Sequence, residues 1–76
     1  MIKNNCEFSM IKKQVGNRIK ELRNLLNISQ EELGFRSGVH RTYIASLEVG
    51  KRNVSIVTLE KIVKALEVSM SAFFNF

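Results

Sequence analysis

The side chains equipped for recognition chemistry cluster between His40 and Asn53, where His40, Arg41, Thr42 and Ser46 precede Lys51, Arg52 and Asn53. Forked guanidinium, hydroxyl and amide groups in such close succession suit hydrogen bonding to a polar anionic surface, nucleic acid being one. They do not suit catalysis. His40 is the one histidine, Cys6 the one cysteine and there is no aspartate, so no nucleophile, base and orienting group stand in a recognisable arrangement and no enzyme is expected. One Cys and one His also supply too few soft ligands for a structural zinc. Neither a metal nor any other cofactor is expected.

Charge agrees with the local chemistry. Twelve Lys and Arg against seven Glu give a net charge of +5, which favours an anionic partner. Residues 1–28 carry six basic and two acidic groups, residues 29–53 four and three, and residues 54–76 two and two. A basic front half and a neutral, apolar end suggest a binding surface on one side and a self-association surface on the other; the plainer alternative is lysines that merely solvate helix faces.

A chain of 76 residues holds one domain of ordinary size. It has no proline and four glycines, so uninterrupted helices are permitted while a small sheet protein, which needs frequent turn breakers, is disfavoured. The expected fold class is all-α. The single cysteine allows no intramolecular disulfide and suits a reducing compartment. Residues 1–10 contain Lys3, Asn4, Asn5 and Glu7 where a signal peptide would be apolar, and no run reaches membrane-spanning length. The expectation is a cytoplasmic protein with no membrane partner, an N-terminal extension over 1–10 and one domain over 11–76.

Periodicity supplies the elements. Val15, Ile19, Leu22 and Leu26 recur at spacings of four, three and four, the apolar face of a helix from Lys12 to Leu26. Asn27 tolerates the left-handed cap that would end it. Ser29, with Glu32 three residues on, forms a capping box for a second helix from Gln30 to about Ser37, where Gly38 turns the chain. A third helix begins near Arg41 with Ile44 and Leu47 inward, and Gly50 closes it. Ser55 or Thr58 caps a fourth helix bearing Ile56, Leu59, Ile62, Val63 and Leu66, and Ser69 a short last one from about Met70 to Phe74.

Two short helices joined by a three-residue turn containing Gly38 make a helix-turn-helix, whose second helix can lie in the major groove of DNA. Here the sequence resembles the lambda-repressor-like, or Xre-type, helix-turn-helix DNA-binding family over residues 15–74. The resemblance is carried by Arg18-Ile19-Lys20-Glu21-Leu22-Arg23, by Ser29-Gln30-Glu31-Glu32-Leu33, by Tyr43-Ile44-Ala45-Ser46-Leu47-Glu48 with Gly50-Lys51-Arg52-Asn53, and by Thr58 to Leu66 with Val68-Ser69. It implies a compact five-helix domain. The run Arg41-Thr42-Tyr43-Ile44 with Arg52-Asn53 is most similar to the controller proteins of restriction–modification systems, small dimeric regulators of transcription that bind near-palindromic operators.

What the resemblance implies can be assigned position by position. Gln30 would contact a phosphate and buttress the recognition helix, and Arg23 with Glu48 would form a partly buried ion pair, the alternative being two solvated charges. Arg41 is the first candidate for a base contact, with a phosphate contact competing. Thr42 offers its hydroxyl or methyl to a base. Ser46 offers a base or water contact and Tyr43 a phosphate contact, with purely structural roles equally open. His40 stands at the N-cap of the recognition helix, able to cap, touch a phosphate or touch a base; many relatives have an acidic residue there, and Arg or Asn at Val49. Lys51, Arg52 and Asn53 read as a clamp on the DNA backbone.

Three of the five phenylalanines fall in the last four residues. Phe73 is expected in the core and Phe74 and Phe76 at a homodimer contact, the alternative being aromatics that tuck back onto their own domain. The resulting expectation is a sequence-specific regulator of transcription binding double-stranded DNA as a homodimer, without a small-molecule effector. The alternative is an antitoxin or other protein-interaction module on the same fold.

Overall fold

Hydroxyl side chains start three of the helices in the computed structural model, which describes the backbone from residue 5 and the side chains from residue 10 to Phe76. The elements are α1 (Asn5–Leu25), α2 (Gln30–Ser37), α3 (Arg41–Glu48), α4 (Ile56–Ala65) and α5 (Met70–Phe73), with no strand among the described residues. Ser29 Oγ accepts from the Glu32 amide at 2.9 Å, Ser55 Oγ from Thr58 at 3.1 Å and Ser69 Oγ from Ala72 at 3.1 Å. Each cap satisfies an amide that the helix itself cannot, worth about 1 kcal/mol. Ser55, rather than Thr58, is the cap of α4. The expected box at α2 is only half made, because the Glu32 carboxylate is taken by Arg36 one turn on, at 2.8 Å.

Helix α1 starts at Asn5, ahead of the Lys12 that apolar periodicity gives. The periodic face begins where the core begins, and nothing in the preceding residues breaks a helix. Of the expected extension over residues 1–10, the backbone of residues 1–4 and the side chains of residues 1–9, Cys6 among them, lie outside the described residues. Past α1, Asn27 takes φ 60°, and its amide and that of Ile28 return to the carbonyls of Asn24 and Arg23 at 2.9 and 3.2 Å. That is the anticipated left-handed stop. Glu67, with φ 66°, ends α4 the same way, an unannounced use of a residue with no special preference for that conformation.

The core joins Val15, Ile19 and Leu22 of α1 to Leu33, Ile44, Leu47, Leu59, Ile62, Val63, Leu66 and Phe73. Phe73 is fully buried, as expected. Ile56, at the first residue of α4, is 66% exposed, whereas Leu59, Ile62 and Val63 of the same helix are buried. Gly16 and Gly34 allow the closest approaches. A Cβ on Gly16 would collide with the Leu47 carbonyl of α3, and one on Gly34 would lie 2.7 Å from the Val39 carbonyl. The α5 end is held from α1, where Arg18 Nε and Nη2 donate to the carbonyls of Phe73 and Ala72, both at 2.8 Å.

Candidate nucleic-acid interface

The turn between α2 and α3 is set by Gly38 at φ 75°, with the amides of Gly38 and Val39 both donating to the Gly34 carbonyl at 2.9 and 3.2 Å. Only a residue without Cβ at Gly34 leaves Val39 room to fold back so closely. This fixes the angle at which α3 leaves α2.

A buried carboxylate then ties three helices together. The Glu48 side chain is 3% exposed and receives Arg23 Nε at 2.7 Å, Arg23 Nη2 at 3.0 Å and Gln30 Nε2 at 3.0 Å. Arg23 Nη1 donates to the Ile28 carbonyl at 2.8 Å. The expected pair of Arg23 and Glu48 is thus formed and bidentate, and Gln30 buttresses it from α2. The hydrogen bond that Arg23 donates to Glu48, and the carboxylate charge, hold the Arg23 guanidinium above its ordinary pKa despite the opposing effect of burial. Paired and satisfied, these groups specify how α1, α2 and α3 sit.

On the outer side of α3, His40, Arg41 and Thr42 are exposed. No partner for the Arg41 side chain appears among the described residues. His40 is the N-cap of α3: its Nδ1 accepts from the Thr42 amide at 3.2 Å and lies 2.9 Å from Thr42 Oγ1. Ser46, expected to reach a base or a water, is turned inward to the loop. Its hydroxyl donates to the Tyr43 carbonyl at 2.8 Å and accepts from Arg52 Nε at 3.0 Å. Tyr43 works in the same direction, donating its hydroxyl to the Asn53 carbonyl at 3.1 Å while the Arg52 guanidinium lies 4.8 Å from its ring centroid. Together they hold the Lys51–Asn53 loop beside α3, with Arg52 still exposed. The structural alternative for Tyr43 and Ser46 is the one these contacts describe.

Among the described residues, no three or more His, Cys, Asp or Glu gather into a metal-binding group, and no helix is long and apolar enough to cross a membrane. The surviving site is a polar, cationic face: exposed donors on α3, flanked by Lys51 and Arg52.

A helix-turn-helix family model matches residues 19–73. The control protein C.SmaI of Serratia marcescens is 44% identical over 63 residues, spanning 83% of this chain and 75% of the relative. The chain belongs to the helix-turn-helix family, among the restriction–modification controllers. Within that group, the crystal structure of the controller C.AhdI from Aeromonas hydrophila superposes with a TM-score of 0.83 at 38% identity, covering 87% of this chain and 96% of that one. The tetramer of the controller C.Esp1396I in complex with its natural 35 base-pair operator matches with a TM-score of 0.79 at 41% identity, covering 83% of both chains. These likenesses extend over the residues that build the α3 face.

The family's five-helix frame leaves an apolar end. Phe74 and Phe76 are 42% and 53% exposed, with Phe74 edge-on to the buried Phe73 at 5.0 Å between centroids and Phe76 at 6.5 Å. They lean on their own core yet keep about half their surface open, and Ile11 and Ile56, also exposed, line a shallow groove with Phe74. Sequence reasoning missed three residues that shape the site. Gly16 and Gly34 set helix approach, and a glycine inside an otherwise good helix was the available signal. Arg18, given no contact of its own by the sequence, clamps α5; a single sequence holds no signal for that contact.

Proposed function

We propose that this protein is a sequence-specific regulator of transcription that binds a near-palindromic operator as a homodimer, the controller of a restriction–modification system. The observation that carries the reading is the exposed α3 face. Arg41 and Thr42 project from a helix whose orientation is fixed by the Arg23–Glu48–Gln30 network, with Lys51 and Arg52 alongside. Arg41 offers two parallel donors that match the O6 and N7 acceptors of guanine. Gln30, Lys51, Arg52 and Asn53 lie where they would grip phosphates and set register. The apolar end bearing Phe74 and Phe76 supplies the contact between copies, and a twofold dimer would place two α3 helices about 34 Å apart, one turn of DNA. The C.Esp1396I assembly on its operator supports this use of the fold. A cytoplasmic location fits, and neither catalysis nor a small-molecule effector enters the reading. The polar α3 surface speaks against a module that mainly holds a protein partner, for which an apolar stripe would be the usual device.

Two substitutions test the division of labour. Arg41→Ala is expected to relax preference at one base pair, about 1–3 kcal/mol of discrimination. Arg52→Ala should weaken binding to all duplexes and flatten the dependence of log K on log salt by about one unit. Binding isotherms on a panel of single-pair variants at several salt concentrations separate the two. Uniform loss from both changes would remove Arg41 from base reading.

A further inference from the structure

His40 and Thr42 share a contact that fixes what each can present to DNA. The Thr42 amide belongs to the first turn of α3, where backbone N–H groups have no partner within the helix, and it points at His40 Nδ1 from 3.2 Å. An amide N–H only donates, so Nδ1 must carry its lone pair, and the proton of the neutral ring resides on Nε2. Thr42 Oγ1 lies 2.9 Å from the same Nδ1. With no proton on that nitrogen, the contact is a hydrogen bond in which the threonine hydroxyl donates. A threonine hydroxyl ordinarily rotates to donate or accept as its partner requires. Here the amide and the hydroxyl share the one Nδ1 lone pair in a three-centre contact, the hydroxyl being the nearer at 2.9 Å, so the threonine proton is turned toward the imidazole.

We infer that His40 is a specificity-setting residue, which makes Thr42 Oγ1 a hydrogen-bond acceptor toward DNA and leaves its own Nε2–H as a donor. The inference rests on the operator-binding reading of α3. An acceptor at Thr42 matches the amino groups of adenine N6 and cytosine N4 in the major groove and mismatches guanine O6 and N7 and thymine O4. The His40 Nε2–H needs the opposite, an acceptor from a base edge or a phosphate oxygen. Arg41 between them only donates. Residues 40 to 42 thus present donor, donor and acceptor in order, a pattern that an acidic N-cap, lacking the Nε2–H, would not make.

His40 is the one histidine, so the untagged protein gives a single imidazole in long-range proton–nitrogen NMR. At a pH where the ring is neutral, the expected spectrum shows Nε2 protonated and Nδ1 bare; an Nδ1-protonated ring overturns the inference before any DNA is added. The second arm exchanges single base pairs along a duplex selected by the wild-type protein, A·T for G·C or C·G for T·A, each of which puts a carbonyl acceptor where the amino group stood. One position is expected to cost about three- to tenfold in affinity, the range of one hydrogen bond. In His40→Ala the freed hydroxyl adapts to either partner and that penalty should fall to nearly onefold. In His40→Asn, whose amide oxygen can still cap and accept, it should persist and show that a folded α3 is being read. A penalty unchanged in His40→Ala overturns the role assigned to His40. A dependence on the backbone charge facing His40, tested with a methylphosphonate, would place the Nε2–H on a phosphate; a dependence on a base acceptor would place it on a base. Failure of the wild type to bind any duplex overturns the operator reading and this role together, whereas the tautomer is decided without DNA.

Discussion

Replacing Glu48 by alanine is expected to destabilise the fold by about 3–5 kcal/mol, the loss that follows when one partner of a buried ion pair is removed. The reason is what remains behind. Arg23 is 12% exposed and would keep a buried charge facing an empty site, and Gln30 Nε2 would lose its acceptor as well. A domain of this size has a total stability of about 4–11 kcal/mol, so the variant should be largely unfolded on modest heating. The arginine side of the pair offers no pH relief. Its folded pKa is raised, so its contribution is complete below the ordinary arginine value and is lost only as the pH climbs through the folded one. Neutral conditions therefore keep Arg23 charged in either state. Glu48→Gln, which retains two acceptor lone pairs, should cost less than alanine. Urea unfolding of the two variants measures this, and a loss below about 1 kcal/mol for Glu48→Ala would mean the pair behaves as an exposed one.

The second large effect belongs to Gly16. Alanine is a better helix former than glycine by about 1 kcal/mol, so on propensity alone Gly16→Ala should stabilise the 21-residue α1. The fold reverses that sign. The added methyl group would collide with the Leu47 carbonyl and press on the backbone of Glu48, neither of which can swing aside as a side-chain end can. Overpacking of this kind costs about 1–3 kcal/mol or more, and a clash against backbone belongs at the upper end, for a net loss of about 2 kcal/mol. The displacement would fall on the C-terminal end of α3, where Glu48 meets Arg23, so the two sites should not be additive. Thermal unfolding of Gly16→Ala, alone and with Glu48→Gln, tests both points. A rise in melting temperature for the single variant would show that α1 and α3 are not so closely apposed.

How far the sequence spoke for itself depends on whether a feature is local. Ser29, Ser55 and Ser69 announce helix starts, Asn27 and Gly38 announce stops, and all five take the predicted conformation, because capping and left-handed turns are decided within a few residues. The exposure of Arg41 and Thr42 on α3 was legible for the same reason. Ser46 had a contact role and a structural role open to it, and its hydroxyl bonds to Tyr43 and Arg52 follow from a folded loop that residue type does not reveal. The α1 start was misplaced because core periodicity marks where a helix is buried, not where it begins. Arg18 and Glu67 act through tertiary contact and a strained stop, and neither leaves a mark in residue type. The ion pair of Arg23 and Glu48 lies 25 positions apart and was anticipated only through resemblance to the family.

Selection of duplexes from a random pool by the wild-type protein tests the proposed function most directly. The expected outcome is one enriched sequence with two half-sites related by a dyad, their centres about 34 Å apart along the helix, each containing a pair whose identity depends on Arg41. An enriched sequence without twofold symmetry would contradict the homodimer on a palindrome, and a pool that emerges without enrichment would contradict sequence-specific binding itself.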